Sequence, residues 1–201
     1  MVKILNVKGR QVFDSRGNPT VEAEIYLDDN TIANAIVPSG ASTGAFEAFE
    51  LRDNVNNFLG KSVLKAVNNI NSIIKKKLVN LSPFDQKKID QLLITTDGSD
   101  NKKKLGANAI LAVSLAVARA SAYSNQKKLF RNLSNVFSIP FPLMNIINGG
   151  AHADNDLNIQ EFMIRPDSAK NFTDAIEKCF LVIQNLKKLL QSKKMLTNVG
   201  D

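Results

Sequence analysis

Pro140-Phe-Pro-Leu-Met-Asn-Ile-Ile-Asn-Gly-Gly-Ala-His-Ala-Asp-Asn-Asp-Leu-Asn-Ile-Gln-Glu-Phe-Met-Ile-Arg-Pro166 reads as two short apolar segments, 143–147 and 162–164, on either side of a glycine-rich polar loop. Apolar runs bounded by Gly and Pro fit short buried strands. The loop holds His152, the one histidine of the chain, and its far end holds Gln160 and Glu161. Polar side chains crowded at the ends of buried strands are where α/β proteins place chemistry. These three residues are therefore the first candidates for a site, although a lone loop histidine and an exposed strand end would look the same.

Downstream, the spacing predicts a helix over 171–191. Asn171 can cap it and Asp174 sits in its first turn. Its apolar stripe is Ile176, Cys179, Ile183, Leu186 and Leu190. Residues 197–199 read as a further connection or strand. Two strands and one helix are too little to bury both faces of a parallel sheet. Either this part packs wholly onto the rest, or the chain is a fragment, and the arithmetic favours a fragment.

Upstream, residues 2–37 read as a β-meander. Val21, Ala23, Ile25 and Leu27 alternate with Glu22, Glu24 and Tyr26, the period of a half-buried strand. Asp28-Asp29-Asn30 is a turn signal. The loop at 38–44, Pro-Ser-Gly-Ala-Ser-Thr-Gly, offers backbone N–H groups and hydroxyls to a phosphate or metal. Its composition equally fits a plain surface linker. Helices follow. Val63, Val67, Ile70, Ile74 and Leu78 mark the first. Ser82-Pro83-Phe84-Asp85 predicts the next, with Ser82 as N-cap and Pro83 at the first helical position. Residues 105–124 are rich in alanine, with Ala109, Ala112, Ala116 and Ala120 at helical spacing, a face that can lie close to another element. Strands first and helices after imply an α+β domain. The polar passage at 126–139 reads as a boundary.

The chain has 201 residues, net charge +7 and a pI near 9.5. Its lysines are scattered or paired on helices, and it has 6% aromatic residues and no Trp. Stacking platforms for bases are not evident, and the charge reads as solvated helix faces rather than a nucleic-acid surface. The single cysteine, Cys179, excludes an intramolecular disulfide and reads as a small core residue. No stretch reads as a secretory leader or a membrane span, so the chain is expected to be cytoplasmic.

Six motifs together resemble the enolase family of Mg-dependent phosphopyruvate hydratases. They are Asp14-Ser-Arg-Gly-Asn-Pro-Thr-Val-Glu22; Ser39-Gly-Ala-Ser-Thr-Gly44 with Glu47 and Glu50-Leu-Arg-Asp53; Leu105-Gly-Ala-Asn-Ala-Ile-Leu111; Asn145-Ile-Ile-Asn-Gly-Gly150; His152-Ala-Asp154; and Gln160-Glu-Phe-Met163. They occur in family order along the whole chain, which matches roughly the first half of an enolase. The resemblance implies an α+β N-terminal domain (β-meander then helices) with a lid loop over residues 1–130. The start of an enolase-type (β/α)8 barrel, truncated, would occupy 138–201.

The implied reaction is the reversible dehydration of 2-phosphoglycerate to phosphoenolpyruvate in glycolysis. Ser42 would coordinate a second Mg2+ when the loop closes. His152 would lie near the substrate phosphate, Gln160 would contact substrate, and Glu161 would orient the leaving group or tune the partner acid. Arg16 and Glu22 are expected in domain packing or a subunit interface. By resemblance, the general acid, the lysine base and three metal carboxylates lie beyond Asp201, so the fragment alone is expected to be inactive. Full-length family proteins are homodimers or higher homo-oligomers. The competing readings are a non-catalytic truncated or split module that retains the N-terminal fold and, ranked last, a nucleic-acid binder.

Overall fold

The computed structural model describes residues 1–40, 44–54 and 56–195. The chain divides into two compact units, Met1–Phe137 and Ser138–Asp201.

In the first unit, β1 (Ile4–Phe13), β2 (Pro19–Leu27) and β3 (Ile32–Val37) form an antiparallel meander in the order β1-β2-β3. The apolar set of β2 reaches the core as expected, with Val21, Ala23, Ile25 and Leu27 buried, but Glu22 between them is buried as well, so the strand is half-buried only over its second part. Asn30 turns the chain into β3 with a positive φ of 67°, and the Asp29 carboxylate accepts the Thr31 N–H at 2.9 Å. On the opposite face Arg10, paired in register with Glu22, donates to Glu22 at 2.7 Å and to Glu24 at 2.5 Å. Glu22 also accepts from Asn34 at 2.6 Å, so it ties all three strands together. Arg16 is exposed in the β1–β2 connection. The Asp14 carboxylate holds that connection by accepting the N–H groups of Arg16 and Asn18, each at 2.9 Å.

The helices cover the apolar face. The first predicted helix forms as α1 (Leu64–Asn69), a π-helical turn (Ile70–Ile74) and α2 (Lys75–Leu78). Ala66, Ile70, Ile74 and Leu78 are fully buried along it. Within the turn, Asn71 accepts the Gly9 N–H at 2.8 Å and donates to the Gly9 carbonyl at 3.1 Å, so its amide pairs with β1 as a neighbouring strand would. A Cβ on Gly9 would lie 3.0 Å from the Ile70 side chain, which explains the small residue there.

The next helix, α3 (Gln86–Asp97), begins later than the sequence suggests. Asp85, not Ser82, is its N-cap, and the Asp85 carboxylate accepts the Lys88 N–H at 3.1 Å. Pro83 is buried ahead of the helix rather than opening it. A carboxylate three residues before Lys88 meets the capping requirement directly. Gly98, with φ +62°, ends α3 in the left-handed conformation that glycine adopts without strain. The alanine-rich α4 (Ala107–Ser124) packs on β2 and β3 through Ala109, Ala112, Ala116 and Ala120, all fully buried. The short α5 (Leu129–Leu133) follows.

Two buried carboxylates hold this unit's turns. Burial alone would push the Asp97 carboxyl up, but N–H groups from Leu105, Ser99 and Lys104 and the Ser99 hydroxyl outweigh it and bring it below the usual range. The Leu105 N–H reaches it at 2.7 Å. Asp53 is likewise opposed by burial and lowered on balance by the Lys65 N–H, the Ser62 hydroxyl and the Leu64 N–H. It accepts from Leu64 at 2.9 Å and from Lys65 at 2.8 Å. Asp53 thus caps α1 from ten residues upstream, while Val63 at the N-cap position supplies no side-chain bond.

In the second unit, β4 (Met144–Asn148) and β5 (Glu161–Ile164) form an antiparallel pair, followed by α6 (Phe172–Ser192). Asn171 caps α6 by accepting the Asp174 N–H at 2.9 Å, as its sequence suggests. The two strands form where expected, but they are not buried: Phe162 is 39% exposed and Met163 49%. A two-stranded ribbon and one helix leave most of their apolar surface uncovered. The stripe of α6 is correspondingly shallow, with Cys179 buried and Ile176 exposed. Residues 197–199 lie outside the described residues.

Candidate active site around His152

The loop between β4 and β5 folds back on itself through backbone contacts that its glycines permit. The Gly149 N–H donates to the Gln160 carbonyl at 2.9 Å, and the Gly150 N–H to the Leu157 carbonyl at 2.7 Å. A Cβ on Gly149 would lie 2.5 Å from the Ile159 carbonyl oxygen and 2.6 Å from the Leu157 Cβ, so a side chain there would force the two loop arms apart. Gly150 has φ +54°, again suited to glycine. Asn155 bridges the arms: its amide donates to the Asn148 carbonyl at 3.0 Å and its oxygen accepts the Leu157 N–H at 3.0 Å.

A 3-10 turn over Gly150–His152 carries the histidine back toward the start of β5. The three candidate residues of the sequence meet there. His152 Nδ1 lies 3.0 Å from Glu161 Oε1, and His152 Nε2 lies 2.8 Å from Gln160 Nε2. The imidazole is partly buried between a carboxylate and an amide. A ring whose one nitrogen is oriented by a carboxylate is suited to carry a proton or to meet an anion with the other.

Ser42 falls outside the described residues. The start of its loop is held by a small polar cluster. The Ser39 hydroxyl donates to Glu50 at 2.6 Å, and Arg52 donates to Ser39 at 3.0 Å and to Glu50 at 2.8 Å. Arg52 also reaches the Pro19 carbonyl at 3.2 Å and the Lys61 carbonyl. No task for Glu50 or Arg52 follows from the sequence alone. Their one signal is the alternation of acid and base in Glu50-Leu-Arg-Asp53, directly after a loop of hydroxyl residues. The Leu105-Gly-Ala-Asn motif proves to be a clamp on the same segment: Asn108 accepts the Leu51 N–H at 3.2 Å and donates to the Leu51 carbonyl at 3.0 Å. Gly106 is required beneath it, with φ +95° and a would-be Cβ only 2.6 Å from that of Leu51.

Among the described residues, no three His, Cys, Asp or Glu side chains come together in a way that would hold a metal ion. Nor is any helix among them long and apolar enough to cross a membrane.

Comparison with known proteins gives two family matches. A model of the enolase N-terminal domain matches residues 4–133, and a model of the enolase C-terminal TIM barrel domain matches residues 136–201. The chain is also 57% identical, over 204 aligned residues, to an enolase of Pelagibacter ubique (strain HTCC1062). That alignment covers 100% of this chain and 49% of the relative, so the chain spans about half the length of the protein it matches.

Proposed function

From the premise that the chain belongs to the enolase family, we propose that it is the part of a phosphopyruvate hydratase that carries one wall of the active site. The reaction is the reversible dehydration of 2-phosphoglycerate to phosphoenolpyruvate, a step of glycolysis. The observation that carries this reading is the meeting of His152, Gln160 and Glu161 at one end of the β4–β5 pair.

The reaction removes a proton from C2 and expels the hydroxyl of C3. In this proposal Glu161 lies beside the leaving hydroxyl and tunes the acid that protonates it. His152, when protonated, meets the substrate phosphate by donating from Nε2, and Gln160, released from that nitrogen, makes a neutral contact to substrate. Ser42 is assigned as a ligand of magnesium. That cation, when bound, supplies positive charge against the anion left by deprotonation. In the same proposal the work of His152, Gln160 and Glu161 is to bind and orient substrate and to hold a proton. A homodimer or higher homo-oligomer and a cytoplasmic setting belong to the same proposal.

The test is to fuse this chain to the remaining C-terminal sequence of the Pelagibacter relative and follow the ultraviolet absorbance of phosphoenolpyruvate. The fusion is expected to turn over 2-phosphoglycerate with Mg2+. His152→Ala and Glu161→Gln should each lower kcat by at least about 100-fold, and the 201-residue chain alone should be inactive. Full activity in either variant would overturn the site assignment, and turnover by the chain alone would overturn its expected inactivity.

A further inference from the structure

The two contacts of His152 are not independent, because a neutral imidazole has one N–H and one lone pair. Glu161 offers Nδ1 an ionised carboxylate, which only accepts. Nδ1 must then carry the proton, and Nε2 is left as the acceptor. The group facing Nε2 is the nitrogen end of the Gln160 amide, a donor, at 2.8 Å. Both contacts are satisfied by one tautomer, the Nδ1–H form. The opposite tautomer would set a lone pair against the carboxylate and an N–H against an NH2 group. Free histidine side chains prefer that opposite, Nε2–H form, so the surroundings here select against the intrinsic preference.

We propose that Gln160 and Glu161 form a tautomer lock on His152, and that Gln160 is a positioning residue whose amide turns over when the ring gains a proton. Protonation adds a proton from solvent to Nε2, and both nitrogens become donors. Glu161 continues to accept from Nδ1. Gln160 accepts from Nε2 once its amide rotates by half a turn to present Oε1. A lysine or a backbone N–H at this place could only donate and would oppose the charged ring. The amide serves both states, so His152 can take up a proton without moving. Glu161 is the charged side chain bonded to the ring. Asp154 and Asp156 on the same loop are exposed and make no hydrogen bond to it among the described residues, and β4 carries no charged side chain. The lock does not depend on the reaction proposed above.

With one histidine in the chain, the imidazole signals need no assignment. Long-range proton–nitrogen NMR of the 201-residue protein, above the pH at which the ring titrates, should show the Nδ1–H form in excess by about tenfold or more, as charge-assisted hydrogen bonding at Nδ1 requires. Through the titration the Gln160 side-chain amide signals should shift with the same midpoint as the ring. In Glu161→Gln the excess should fall at least severalfold toward the Nε2–H form. A wild-type ring in the Nε2–H form, or Gln160 amide signals indifferent to the titration, would overturn the proposal without bearing on substrate turnover.

Discussion

The two units of this chain reach order by different routes. In Met1–Phe137 the meander is covered by helices, and residues from every strand and from α1 through α4 share one apolar core. In Ser138–Asp201 the described apolar residues that are buried are Ala175 and Cys179 alone, while Phe162, Phe180 and Leu181 face outward. Yet the second unit also holds a specified polar geometry, with each nitrogen of one imidazole partnered. Its loop is shaped by contacts of backbone to backbone and of asparagine to backbone, across spans of about a dozen residues or fewer. Such contacts are short-range and need no core to define them. Burial supplies the stability of the first unit, and local hydrogen bonding supplies the precision of the second.

That contrast predicts unequal responses to truncation. Leu93→Ala, at a site 1% exposed, should destabilise the first unit by about 3 kcal/mol. Phe180→Ala, at a site 57% exposed, should change stability by no more than about 0.5 kcal/mol. Urea unfolding of the two variants measures both, and equal losses would erase the distinction.

Acid should act on the first unit in the same way. The Asp53 and Asp97 carboxyls lie below their ordinary range in the folded protein. An unfolded aspartate titrates near about 3.9. Each ionised group therefore contributes stability that is fully present above that value and lost as pH falls through the lower folded pKa. Unfolding followed between neutral pH and pH of about 2 should show this loss. Asp97→Asn should cost about 2 kcal/mol at neutral pH, since it leaves an amide where a carboxylate accepted buried N–H groups. The variant should also show a shallower acid dependence. A smaller effect is expected in the second unit, where Asn171→Ala should lower the helicity of α6 and cost about 1 kcal/mol, measured by circular dichroism during thermal unfolding.

Sequence patterns are most legible where period and turn chemistry decide the structure. The apolar set of β2, the alanine face of α4 and the Asn171 cap all form as the residues suggest. The meeting of His152 with Gln160 and Glu161 is legible only as proximity in the chain; the closure between them depends on Gly149, whose required bareness shows only when the opposite arm of the loop is in place. Three features escape for identifiable reasons. The π-helical turn at Ile70–Ile74 leaves the apolar spacing of its helix unchanged, so periodicity carries no trace of it. Ser82 and Asp85 both have capping side chains, and only the backbone path ahead of α3 chooses between them. Apolar composition at 143–147 and 162–164 suggests buried strands, but burial depends on what covers a strand, and composition does not state that.

The direct test of local closure is residue-resolved amide hydrogen exchange of the Gly149 and Gly150 N–H groups. They donate at 2.9 and 2.7 Å to the far arm of the loop that delivers His152 to Glu161. Protection of both amides by at least about tenfold over free-peptide rates, lost in Gly149→Ala, is the predicted result. Exchange at free-peptide rates in the unmodified chain would contradict the claim that local hydrogen bonding alone builds the site.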